Sequence, residues 1–199
     1  MNFEDMTDES MKYCIGLDLS IKSTGVCVRD LSNGKCSYTI IAAKLTKAQQ
    51  AFKHKDLEFV CYFRDKTSKD DSFALKEQKK TLSVWNVTER IRSIIKKYKK
   101  KGRVCCVIEG ISYGSSSSAA LADLAGLNYA VRCMLMQEGV GFRIAAPMQL
   151  KKFAVGNGGA DKDMMTDAWK RCQPKMADIS EIKDDDIADA YFLSVWDGE

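Results

Sequence analysis

Apolar positions near the start of the chain come in short blocks separated by turn residues. "YCIGLDLS", "TGVCVRD" and "CSYTIIAA", between residues 13 and 43, read as three β-strands; "IKST" and "SNGK" part them, and Asn33-Gly34 is a tight-hairpin dipeptide. An antiparallel meander is expected. Residues 44 to 76 are Lys-rich and polar with one possible strand, "LEFVCYF", and read as an elaboration. From about 77 to 101, apolar residues recur with helical period at Leu82, Trp85, Val87, Ile91, Ile94, Ile95 and Tyr98, and Gly102 follows a lysine cluster as a stop.

The pattern then changes. "RVCCVIEG" is a continuous apolar run bounded by glycines, as in a strand covered on both faces. "SSSSAALADLAGLNYAVRCMLMQEG" reads as a Ser-capped helix rich in small residues and closed by Gly139; "GFRIAA" is a fifth strand. "PMQLKKFAV" starts a helix at Pro147, "GNGGA" is a loop, "DKDMMTDAWKRC" restarts a helix with Asp161 as N-cap, and "ISEIKDDDIADAYFLSVW" is the last helix. Helices alternating with the later strands imply parallel pairing. The expected fold is α/β, a five-stranded mixed sheet, three antiparallel strands then two parallel ones, flanked by helices.

Two of these strands end in a carboxylate, Asp18 on the first and Glu109 on the fourth. Adjacent parallel strands would bring both to one edge of the sheet, where open α/β folds gather their sites. Asp186 and Asp189, three apart, share one face of the last helix. Four converging carboxylates repel one another unless a hard divalent cation binds them. Paired Mg²⁺ or Mn²⁺ ions held this way serve in-line phosphoryl displacement, one activating water and the other steadying the leaving oxygen, which is nuclease chemistry.

Composition narrows the setting. The chain of 199 residues is 45% apolar with two prolines, which fits one globular domain, residues 13–199, behind a flexible N-terminus of residues 1–12. Its apolar runs are too short to span a membrane, and the acidic N-terminus is unlike a secretory signal, so an intracellular protein is expected. Eight cysteines without a C-x-x-C pair, and a single His at 54, favour reduced, mostly buried thiols over a zinc site or a disulfide framework. The net charge of +4 is unevenly spread: residues 44 to 103 hold 18 Lys or Arg against 7 Asp or Glu, residues 157 to 199 hold 5 against 11. A basic middle suits a phosphate backbone, and equally a solvated helix face.

The ordered motifs resemble the RuvC family of Holliday-junction resolvases, within the ribonuclease H-like superfamily, especially its phage-type members. The resemblance spans roughly residues 13 to 196. It is carried by Gly16-Leu17-Asp18-Leu19-Ser20, by Thr24-Gly25, by Ile108-Glu109-Gly110 and by Asp186-Ile187-Ala188-Asp189-Ala190. It implies a ribonuclease H-like fold and a crossover junction endodeoxyribonuclease that nicks branched DNA, a four-way junction, by direct attack of water. Asp18, Glu109, Asp186 and Asp189 would hold two Mg²⁺ or Mn²⁺ ions, with Lys162 steadying charge on the phosphate. Lys151 and Lys152 with Lys22, and Asn157 and Gly158 of the glycine loop, would contact DNA.

The resemblance further implies a homodimer, for which the small-residue stripe Ala119, Ala122, Ala125, Gly126 and Ala130 permits a close helix approach, although packing on the chain's own sheet explains the stripe equally well, and the cytoplasm of a bacterial host if the protein is phage-encoded. The cellular enzymes differ in two places. They carry Pro-Gly where Leu19-Ser20 stands here, and an aromatic wedge where Ser112 stands, with Tyr113 following as the nearest aromatic. A nuclease acting on RNA–DNA hybrids or flaps, and a DNA-binding module without catalysis, remain alternatives. A sugar-kinase or actin-like ATPase needs a second domain for which the chain is short.

Overall fold

The blocks at the start of the chain fold as the expected meander. The computed structural model describes residues 11–111, 118–176 and 185–198. β1 (Met11–Asp18), β2 (Ser23–Asp30) and β3 (Cys36–Ala42) pair antiparallel in sequence order. β5 (Arg103–Glu109) lies parallel to β1, and β6 (Gly141–Ala145) lies parallel outside β5. The sheet has six strands rather than five. β4 (Leu57–Cys61), inside the Lys-rich elaboration, joins the far side of β3 in parallel, giving the order β4-β3-β2-β1-β5-β6. Only Leu57 of its five residues is buried, so this edge strand carries little of the apolar pattern that marks a strand in sequence.

β1 begins at Met11, so the sheet takes in the last two residues of the expected flexible N-terminus. A short helix that the pattern did not indicate, α1 (Lys47–Ala51), is closed by a capping box between Thr46 and Gln49. α2 (Phe73–Lys99) starts four residues ahead of the expected start at about 77, where the Ser72 hydroxyl accepts from the Leu75 amide at 3.2 Å. α3 (Ser118–Gln137), α4 (Pro147–Val155), α5 (Lys162–Cys172) and α6 (Asp185–Val195) complete the fold. Asp161 caps α5 as expected, accepting from the Met164 amide at 2.9 Å. The expected helix starts at 115–117 and 179–184 lie outside the described residues. Among the described residues no helix is long and apolar enough to cross a membrane.

Strand alternation sorts the core into two layers. Tyr13, Ile15 and Leu17 of β1 face α2 and α3, packing with Val87, Ile91, Ile95, Leu127 and Val131. Cys14 and its neighbours Cys27, Cys105 and Val107 face the other way, against Ile187, Ala190 and Phe192 of α6 and Trp169 of α5. The α6 side is lined by small side chains, and two positions carry none. A Cβ on Gly16 would lie 2.0 Å from the Ala190 carbonyl oxygen, and one on Gly25 would lie 1.9 Å from that of Asp186. The last helix therefore rests directly on the backbone of β1 and β2. All eight cysteines are free thiols; Cys14, Cys27, Cys105 and Cys106 are buried, Cys36 is half-buried, and Cys61, Cys133 and Cys172 are exposed. The expectation of mostly buried thiols thus holds for half of them, and three of those four line the face that packs against α6.

Candidate active site

Parallel pairing of β1 and β5, with Leu17 beside Ile108, sets Asp18 and Glu109 at neighbouring strand ends. Gly25 stands directly across β2 from Asp18, and its missing side chain lets the backbone of Asp186 settle there. α6 is thereby pressed onto the end of the sheet that carries Asp18 and Glu109, with Asp186 and Asp189 one turn apart on it. The Ser23 hydroxyl donates to a carboxylate oxygen of Asp186, tying the start of β2 to α6. Each of the four acids keeps part of its surface accessible.

The turn after Asp18 shows what Leu19-Ser20 does. Leu19 is buried in the layer facing α2 and α3. The Ser20 amide donates to the Thr24 hydroxyl at 3.1 Å, and that hydroxyl donates to the Ser20 carbonyl at 2.7 Å. Thr24 is fully buried, so this pair of bonds clamps the turn. At the other strand end, the Asn128 side-chain amide of α3 donates to the Glu109 backbone carbonyl at 3.1 Å, fixing where β5 stops. Neither Ser23 nor Asn128 was expected at the site; no spacing rule links them to the acids, which they reach only through sheet register and helix packing.

The electrostatics follow from this crowding. Burial, with Glu109, Asp189 and Asp186 nearby, pushes the Asp18 carboxyl well above the usual carboxylate range, while Lys162 draws it back. Burial and Asp189 push Glu109 up to about 7, opposed by Lys151 and Lys162. Asp18 thus feels carboxylates from β5 and α6, and the two lysines from α4 and α5 are the opposing cations. Among the described residues no three Asp, Glu, His or Cys side chains close into a ready-made metal cage. The donor set nonetheless fits a hard divalent ion: all ligating atoms are oxygens, and partly buried negative charge exceeds the local positive charge.

This arrangement has a measurable consequence without metal. A glutamate with a raised folded-state pKa adds stability that is present below its unfolded value near 4.5 and is lost as pH rises through about 7. In chelator, Glu109→Gln should therefore gain stability relative to the parent chain between pH 5 and 8. The gain should be of order 1–2 kcal/mol in urea unfolding, discounted for partial solvent access. Parallel stability curves for the two proteins would contradict the raised carboxyl.

The other expected residues divide. Lys162 is exposed on the first turn of α5, and Lys151, half-buried on α4, lies near Glu109. Lys152 is exposed on α4, and Lys22 is exposed in the β1–β2 turn. The glycine loop is less open to a ligand than expected. The Asn157 side chain accepts from the Gly159 amide at 3.0 Å, and the Ala160 and Gly156 amides donate to the Asn157 and Lys152 carbonyls. Gly158 is packed close to the Met148 carbonyl oxygen, 3.2 Å from where a Cβ would stand. Ser112 and Tyr113 lie outside the described residues.

Comparison with known proteins identifies the family and the fold. The family model of crossover junction endodeoxyribonuclease RuvC matches residues 69–196. No curated protein sequence matches the chain. The structure of Thermus thermophilus RuvC is 16% identical, covers 92% of this chain and 91% of that one, and superposes with a TM-score of 0.53. T. thermophilus RuvC in complex with Holliday junction substrate is 14% identical over the same shares, with a TM-score of 0.54. At such identities the structural likeness is one of fold, and the sheet and helices described above are of the ribonuclease H-like kind. With its family model matched over more than half its length, the chain belongs to the RuvC family of crossover junction endodeoxyribonucleases.

Proposed function

We propose that this chain resolves four-way DNA junctions by metal-dependent hydrolysis at the Asp18 end of the sheet. The observation that carries the reading is the geometry: Asp18 and Glu109 stand at neighbouring ends of parallel strands, and the backbone of Asp186 seats on Gly25 across from Asp18, bringing Asp186 and Asp189 of one helix to the same end. Branched DNA is the substrate held by the structurally similar T. thermophilus protein, and the basic elaboration at 44–76 extends the same nuclease domain, residues 13–199.

Asp18, Glu109, Asp186 and Asp189 would hold the divalent ions, a pair of Mg²⁺ or Mn²⁺. Bound there, such ions supply Lewis-acid activation of water and of the scissile phosphate. The chain's own residues do the rest. Ser23 orients Asp186, and Asn128 fixes the position of Glu109 through its backbone. Lys162 sits at the positive end of α5, placed to bind a non-bridging phosphate oxygen as charge develops on it. Lys151 counters the charge of Glu109 when the phosphate is absent.

A two-fold dimer would let one complex nick two strands. The outer face of α3 exposes Ala119, Ala122, Gly126, Tyr129, Cys133 and Met136, in steps of three and four that match the seam of a two-stranded coiled coil. Of the small residues expected at such a face, Ala125 and Ala130 are half-buried instead.

With Mg²⁺ or Mn²⁺, the purified protein should introduce paired, symmetric nicks in a synthetic four-way junction. A linear duplex of the same sequence should be cut at least ~10²-fold more slowly. Preferential cutting of flaps or RNA–DNA hybrids in the same assay would replace the junction reading with its alternatives. Unpaired nicks from a protein that sediments as a monomer would remove the dimer.

A further inference from the structure

The register of the sheet brings more than acids to the catalytic end. Ser23, Ala42 and Cys61 form one row across β2, β3 and β4. Lys22, Lys44 and the strap of residues 62–72 follow that row in sequence, and Tyr62 of the strap packs in the layer of α2 and α3, whereas Leu150 of α4 and Trp169 of α5 pack in the layer of α6.

The strap is held in place by contacts that leave its bases outside. Tyr62 is buried, its hydroxyl donates to the Ile21 carbonyl in the turn that follows Asp18, and its amide donates to the Ala42 carbonyl at 3.1 Å. Asn86 donates to the Phe63 carbonyl at 2.9 Å. The Lys79 ammonium donates to the Lys66 carbonyl at 3.2 Å and pairs with Asp71 at 3.1 Å and Asp65 at 3.6 Å. Two of the strap's three acids are thus engaged by α2, while Arg64, Lys66 and Lys69 are exposed, as are Lys22 and Lys44. Among them stands Phe63, 68% exposed although its neighbour Tyr62 is buried.

An aromatic side chain held out among cations by an anchored backbone suits single-stranded or splayed nucleic acid, where bases stack on rings and phosphates meet Lys and Arg. We propose that the 62–72 strap is a second DNA-contacting surface of the site. Arg64 and Lys66 bind the backbone of one arm, and Phe63 stacks on an unpaired base at the branch point. The inference rests on the reading of the site as a junction nuclease and adds to it a feature that distinguishes branched DNA from duplex.

The test uses a four-way junction carrying 2-aminopurine at the branch, bound by the full chain in the Asp18→Asn background over a salt series, with nicking by the otherwise unchanged chain measured alongside. Arg64→Ala/Lys66→Ala should weaken junction binding about 10-fold or more and lower the slope of log affinity against log salt by about 2. Phe63→Ala should weaken junction binding about 5-fold, leave the salt slope and linear-duplex affinity unchanged, and abolish the 2-aminopurine response. If both variants match the parent in affinity, slope and fluorescence while the active chain still nicks junctions, the strap proposal is wrong and the nuclease reading stands. Equal weakening of junction and linear duplex by Phe63→Ala overturns the stacking role. A parent chain that neither binds nor nicks junctions overturns both.

Discussion

Asp18→Asn should reduce junction nicking by about 10³-fold or more and, in chelator, raise the melting temperature. The two effects share one cause. Asp18 is held at a strand end where burial and three other acids oppose its ionisation. An amide of the same shape relieves that repulsion and also removes the oxygen charge a divalent ion requires. A variant that is both inactive and less stable in chelator would mean that Asp18 serves the fold rather than the chemistry. Retained nicking would remove it from the site altogether.

Gly25→Ala should be the most damaging single methyl group near the site. The new Cβ would lie 1.9 Å from the Asp186 carbonyl oxygen and 2.7 Å from its carbonyl carbon, both backbone atoms that cannot rotate away. α6 must retreat by more than an ångström, and since the clash is with Asp186 itself, the retreat carries Asp186 and Asp189 away from Asp18. A loss of about 3 kcal/mol in urea unfolding is expected. Nicking measured well below the melting temperature should fall about 10²-fold through misplacement alone. A folded Gly25→Ala protein with full activity and stability within ~0.5 kcal/mol of the parent would show that α6 does not depend on this close approach.

The acids were legible because each sits at a position that pattern can mark. Asp18 and Glu109 close apolar runs, and Asp186 and Asp189 share a helical face, so residue type and spacing were enough. What supports them was not. Ser23 and Asn128 meet Asp186 and Glu109 across 163 and 19 residues of chain, contacts that only folding creates. The close seat of α6 did leave a sequence signal, in Cys14 and Gly16 at strand period with Gly25 and Cys27 on the next strand, all small. Read as thiols to be buried, the cysteines concealed their part as thin side chains beneath a helix.

The sixth strand, marked as possible in "LEFVCYF", was left out of the expected sheet for a different reason. β4 is an edge strand with one buried residue, and its parallel pairing to β3 depends on a connection through α1 that carries no strong pattern. With β4 in place, Tyr62 reaches the turn behind Asp18, so the Lys-rich elaboration is structurally part of the site's surroundings rather than an appendage.

The central claim is that carboxylates from β1, β5 and α6 form one divalent-cation site. Titrating Mn²⁺ into the DNA-free protein by calorimetry, with Asp18→Asn and Asp189→Asn in parallel, tests it most directly. The account predicts saturable binding by the parent chain that each substitution weakens at least ~10-fold, and undiminished Mn²⁺ binding by both variants would contradict it.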